Sequence, residues 1–132
     1  MGVITDIKKE EGFRGDVYTD TQGYPTIGYG TKLPISKEEG VLLLKHRLGK
    51  IQEELYRKLP WLVDTVDEAE DIVCNMAYNM GVPRLLKFKK MLAALKDKDY
   101  VKASEEMLDS RWNRQVPNRA KRLSDAMKAL AD

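Results

Sequence analysis

The stretch from Arg14 to Pro34 leaves this chain few folds to choose from. Val17, Tyr18, Tyr24, Thr26, Ile27 and Tyr29 favour extended backbone, and Gly15, Gly23, Gly28, Gly30 and Pro34 interrupt them. A helix does not form across that density of glycine, and β-branched and aromatic residues suit a pleated surface. The segment reads as two or three short antiparallel strands, with Thr21-Gln22-Gly23 as the first hairpin loop. Tyr24, Thr26 and Gly28 then share one face by the period of two. Helical patterns lie on both sides, so the chain reads as α+β, with one small sheet set among helices.

Before the sheet, Val3, Ile4 and Ile7 recur at helical spacing and Gly12 supplies a stop, predicting a helix over 3–11. After it, Ser36-Lys37-Glu38-Glu39 is a capping box that opens a second helix. Val41, Leu44, Leu48, Ile51 and Leu55 give that helix one apolar stripe, and it should run to about Lys58 and stop before Pro60. Further on, Asp64 or Thr65 caps a helix through Met80, and Gly81 and Pro83 mark its exit. Leu85–Leu95 and Tyr100–Leu108 give two more helices. Pro117 opens a last one through Leu130. The expected organisation is one domain over 1–132. A sheet lobe spans about 12–35, a connecting helix 36–59, and a helical lobe 60–132 that packs with the N-terminal helix 3–11.

Composition narrows the function classes. With 132 residues and 42% hydrophobic residues the chain can bury a core without staples, and its single cysteine permits no internal disulfide. No apolar run is long enough to cross a bilayer, and the N-terminus shows neither the basic nor the apolar region of a secretory signal. No residue cluster has metal-ligand spacing and no phosphate-binding glycine loop is present, so no metal and no cofactor are expected. The net charge is only +2, but Arg111, Arg114, Arg119, Lys121 and Arg122 follow one another with no acid between them. A basic run of that kind suits an anionic target. Its plainer reading is a solvated helix end with Trp112 in the core, which we rank above a nucleic-acid surface.

Two acids frame the glycine-rich segment. Glu11 ends the first helix, and Asp20 enters the turn Asp20-Thr21-Gln22-Gly23. Taken alone, Glu11 reads as a solvated helix residue, Asp20 as a turn residue bonding its own backbone, and Thr26 as a strand threonine. His46 lies off the apolar stripe and reads as exposed, while Cys74, among Ile72, Val73 and Ala77, reads as a small buried hydrophobe. Two carboxyls in unlike surroundings around one cleft also have a chemical use. Their pKa values can be driven apart, as glycosidases require of an acid and a charged partner.

The ordered set of motifs resembles the phage-type lysozymes of the T4 lysozyme family, glycoside hydrolase family 24. Its parts are Glu11-Gly12, Tyr18-Thr19-Asp20-Thr21-Gln22-Gly23-Tyr24, Thr26-Ile27-Gly28-Tyr29-Gly30, Tyr78-Asn79-Met80-Gly81, Ser110-Arg111-Trp112 and Pro117-Asn118-Arg119-Ala120-Lys121-Arg122. The spacing of Glu11, eight residues, Asp20, five residues and Thr26 is the family's catalytic spacing. The resemblance implies a lysozyme-like fold. It also implies a muramidase that hydrolyses the β-1,4 bond between N-acetylmuramic acid and N-acetylglucosamine in peptidoglycan. Glu11 would be the general acid, Asp20 the ionised partner that positions water with Thr26, and Arg119 the partner of the acid. Gly30 and Asn79 would line the sugar cleft. By family habit the protein would be a monomeric endolysin, held in the host cytoplasm and reaching the wall through a holin, with no nucleic-acid partner and no stable membrane insertion. A lytic transglycosylase or a non-catalytic peptidoglycan-binding protein are the alternatives. The chain departs from the pattern at Thr31, where the family often has histidine, and in the short segment between Pro34 and Ser36.

Overall fold

A computed structural model describes residues 2–132. The chain forms two compact units, Met1–Leu44 and Lys45–Asp132, with the boundary inside one long helix.

The first unit contains α1 (Val3–Glu11), β1 (Arg14–Thr19), β2 (Pro25–Gly28), β3 (Thr31–Lys32) and the opening turns of α2 (Lys37–Lys58). The helix and strands fall where glycine placement and residue type predict them. α1 ends as Gly12 donates its N–H to the Lys8 carbonyl at 3.0 Å. The strands are antiparallel, in the order β1-β2-β3. Tyr18 pairs with Thr26 and Thr19 with Pro25, but Arg14 pairs with Gly28, so β1 carries an irregularity between Arg14 and Tyr18. Such a bulge bends a strand and re-aims the side chains around it. On the other edge Thr26 pairs with Lys32 and Ile27 with Thr31. The exit of α1 rests on the β2–β3 turn. Phe13 and Tyr29 meet at a tilt of 56° with ring centroids 5.4 Å apart, and Lys8 Nζ lies 5.5 Å from the Tyr29 ring centre. The apolar stripe Val3, Ile4 and Ile7 is exposed. The capping box at α2 forms in full: Glu39 N–H donates to Ser36 Oγ at 3.1 Å, and Ser36 N–H donates to Glu39 Oε1 at 2.8 Å.

The second unit is helical. After α2 come a 3₁₀ turn (Pro60–Asp64), α3 (Asp67–Met80), α4 (Val82–Leu85), α5 (Lys89–Lys96), α6 (Tyr100–Leu108), α7 (Arg111–Gln115) and α8 (Pro117–Ala129). α6 packs against both α5 and α8, and α3 and α7 also meet α8. Leu55, Leu62, Val73, Met76, Leu85, Met91, Leu95, Met107 and Met127 fill the core and are almost wholly buried. Each such side chain contributes about 1.5–3 kcal/mol relative to exposure. The core also takes in one acid, Glu70, which accepts hydrogen bonds from the Tyr56 hydroxyl and from Gln52 Nε2. A buried acid needs such partners, because an unpaired one is strongly disfavoured.

Three local readings need correction. The helix expected from Asp64 or Thr65 begins at Asp67. Leu62 buries itself in a 3₁₀ turn, and the Thr65 hydroxyl donates to the Trp61 carbonyl instead of capping a helix. The helix expected over Leu85–Leu95 is two helices, broken where Leu86 and Phe88 pack against the core. α7 is an added element. Its signal was Ser110, whose Oγ accepts the Asn113 N–H at 3.1 Å as an N-cap. His46 is exposed and Cys74 buried, as their sequence settings indicate.

Candidate active site

The first unit gathers Glu11, Asp20, Thr26 and Gly30 around one cleft of about 530 Å³. The volume is in the range of small-ligand sites. Tyr18, Gln22 and Lys32 also stand in its wall.

Asp20 is fixed by the turn it opens. Its Oδ1 accepts the backbone N–H groups of Gln22 at 2.9 Å and Tyr24 at 2.8 Å. The backbone closes the same loop, with Asp20 N–H donating to the Tyr24 carbonyl and Gly23 N–H to the Asp20 carbonyl. Oδ2 meets Lys32 Nζ at 2.9 Å. The Asp20 side chain is only 16% exposed, against 57% for Lys32, so the carboxylate is the sheltered member of the pair. The Lys32 ammonium, followed by the Tyr24 N–H, holds the Asp20 carboxyl below its ordinary range. In return Asp20 pushes the Lys32 ammonium above its own.

Thr26 is 1% exposed, and its hydroxyl donates to the Tyr24 carbonyl at 2.9 Å. That bond uses the only proton of the hydroxyl and leaves its oxygen an acceptor. Thr26 is therefore a fixed acceptor at the floor of the cleft.

Glu11 is exposed at the end of α1. Its carboxyl lies directly over Gly30, where a Cβ would sit 2.7 Å from both Cδ and Oε2. Gly30 also has φ of +74°, a left-handed conformation that favours glycine. Gly30 thus admits Glu11 to the cleft as well as lining it.

Asn79 and Arg119 belong to the second unit. Asn79 sits near the end of α3, and its Oδ1 accepts the Trp112 indole N–H at 2.8 Å, leaving its amide protons as donors. Trp112 is buried and packs edge-on against Phe88, with centroids 6.3 Å apart, so it serves the core. Arg119 lies half-buried in the first turn of α8.

Lys32 escaped the sequence reading. The signal was present: a tight return through Gly28-Tyr29-Gly30 sets residue 32 opposite residue 26, one strand away from the Asp20 turn.

Comparison with known proteins decides the family. The model of the family described as phage lysozyme matches residues 8–128. The chain belongs to the phage lysozyme family. The match covers every element from the end of α1 to α8. The protein named "Probable T4-type lysozyme 1" of Dictyostelium discoideum is 30% identical over 149 residues, covering 89% of this chain and 88% of that protein. The "Pre-baseplate central spike protein Gp5" of Enterobacteria phage T4 is 30% identical over 155 residues, covering 94% of this chain but 27% of that protein. The "Endolysin" of Salmonella phage P22 is 29% identical over 87 residues, covering 59% of this chain and 60% of that protein. The α+β fold and the family agree, and the chain is a lysozyme-type peptidoglycan hydrolase.

Proposed function

We propose that the cleft of the first unit carries out the hydrolysis, cutting the β-1,4 bond between N-acetylmuramic acid and N-acetylglucosamine. The observation that carries this reading is the convergence of Glu11, Asp20 and Thr26 on one cleft, with the three side chains held in unlike ways.

Glu11 is the general acid. It gives its proton to the glycosidic oxygen as the bond from that oxygen to the sugar carbon breaks, and positive charge develops on the sugar ring. Asp20, kept ionised by Lys32 and the turn N–H groups, faces that charge and stabilises it. Thr26 and Asp20 are both acceptors, so a water between them donates one proton to each and turns a lone pair toward the sugar carbon. The carbon–oxygen bond to water forms on the face opposite the leaving group. The released proton passes to Asp20 and then to solvent. A carboxylate held below its usual range is a weak base, so its first role is electrostatic and its second is to orient water. An inverting enzyme separates its two carboxyls by roughly 6.5–9.5 Å to admit that water.

Glu11→Gln tests the reading. The variant should remain folded by circular dichroism and release no reducing ends from purified peptidoglycan, while the parent protein releases them. Mass analysis of the parent's muropeptides should show hydrated ends; 1,6-anhydro ends would identify a lytic transglycosylase. Activity of Glu11→Gln at the parent level would refute the assignment of the acid.

A further inference from the structure

Lys32 is the one cation that bonds a member of the proposed catalytic set within the first unit, among the described residues. Three independent contacts fix it. Its Nζ lies 2.9 Å from Asp20 Oδ2 and 5.7 Å from the centre of the Tyr24 ring. Its backbone pairs with Thr26 across β2 and β3. Lys32 thus touches the carboxylate, the turn residue whose N–H binds that carboxylate, and the strand that carries the threonine.

The acceptor count gives this placement a consequence. A carboxylate offers about four acceptor positions, two on each oxygen. Two backbone N–H groups occupy Oδ1, and Lys32 occupies one position on Oδ2. One position remains, on Oδ2. We propose that Lys32 is a positioning residue for this hydrolysis: by holding one side of Oδ2 it leaves Asp20 a single acceptor for the attacking water and fixes the direction from which that water is held. The proposal rests on the catalytic reading of the cleft given above. It assigns Lys32 no contact with the bond that breaks, and it separates the turn's two functions. The N–H groups hold the carboxylate in place, and the ammonium decides which lone pair is free.

The same contact keeps Asp20 charged. The titratable groups lining its cleft are Glu11 from the end of α1, Tyr18 from β1 and Lys32 from β3, and Tyr24 lies beside it in the turn. Lys32 is the only cation in that set. Asp20 should therefore stay ionised to lower pH in the parent protein than in a variant without the ammonium.

The test uses Lys32→Met, which keeps most of the side chain's reach and removes the charge, and Lys32→Arg, which restores a cation. The Asp20 carboxyl carbon is titrated by NMR in a Glu11→Gln background, so that neither the charge of Glu11 nor turnover enters the measurement. The Asp20 midpoint should move upward in Lys32→Met and return toward the parent value in Lys32→Arg. On intact peptidoglycan fragments, Lys32→Met in the otherwise parental protein should lower kcat with KM little changed, and the acid limb of its pH profile should move to higher pH. Identical Asp20 midpoints with and without the ammonium would overturn the proposal, as would an unmoved acid limb in an active Lys32→Met. If Lys32→Met does not fold, Lys32→Gln supplies the same comparison. An inactive parent protein with a shifted Asp20 midpoint would defeat the catalytic reading while leaving the Lys32–Asp20 contact in place.

Discussion

Replacing Gly30 with alanine should cost activity far more than stability, because the added methyl meets the proposed acid. A Cβ at this position lies 2.7 Å from both the carboxyl carbon and Oε2 of Glu11 and 3.0 Å from its Cγ. Ordinary van der Waals contact begins near 3.4 Å, so the carboxyl has to retreat by about 0.7 Å. A misplacement near 1 Å in a catalytic constellation can lower the rate by about 100-fold, so a fall in kcat of roughly 10–100-fold is expected. The backbone adds a second penalty. A left-handed conformation costs a residue bearing a Cβ about 1–2 kcal/mol, which lowers the Tm of a chain this size by several degrees. Gly28→Ala separates the two effects. Gly28 also has a left-handed φ, +70°, but nothing lies within 4 Å of its would-be Cβ. It should lose similar stability and keep near-parental kcat. Turnover of soluble peptidoglycan fragments below the melting range, with calorimetry on the same samples, measures both quantities. A Gly30→Ala variant with parental kcat, or a Gly28→Ala variant equally impaired, would refute the steric argument.

Two further predictions concern the second unit. Tyr56→Phe removes one of the two hydrogen-bond donors on buried Glu70 and should cost about 1–3 kcal/mol in urea unfolding, with Gln52 as the remaining donor; unchanged stability would show that the hydroxyl contributes nothing. Burial, aided by the nearby charges of Glu70 and Asp71, pushes the Cys74 thiol up to about 11, so the native protein should react slowly with a thiol reagent at pH 8 and rapidly once unfolded, whereas fast reaction of the native form would contradict the burial. The sign for stability follows: the folded state favours the neutral thiol, so Cys74 makes the protein less stable as pH rises from 9.0 toward 11, where only the unfolded chain ionises.

What could be read from the residues was what local chemistry determines. Gly12 ended α1, Ser36 and Glu39 opened α2, and Pro117 opened α8, because caps and prolines act within a few residues. Asp20 bonding its own turn was equally local. The misses arose where distant packing overrode a local option. Thr65 had a cap available, yet burial of Leu62 held the preceding residues in a 3₁₀ turn. The stretch from Leu85 to Leu95 carried an unbroken helical pattern, yet Leu86 and Phe88 turned into the core. In the cleft, Glu11, Asp20 and Thr26 stood out only through the family resemblance, since each alone read as an ordinary helix, turn or strand residue; the structure places all three around one cleft. Lys32 was not, since a lysine on a short edge strand looks like solvent-facing charge until the register places it opposite Thr26. The role of Gly30 beneath Glu11 depends on a contact between a helix end and a strand turn, which no periodicity encodes.

Asp20 has a consequence for how this protein can change. The carboxylate that closes the first hairpin loop is the same group that lines the cleft and takes the proposed role opposite the sugar. Most enzymes can drift in their scaffold and keep their chemistry, because different residues serve the two ends. Here one carboxylate serves both, Oδ1 for the loop and Oδ2 for the proposed chemistry, so selection on the loop and selection on turnover act on one codon. An asparagine there could still accept the Gln22 and Tyr24 N–H groups, but its amide would turn a donor toward Lys32. Such an exchange keeps the hairpin while removing the charge that the proposed hydrolysis needs.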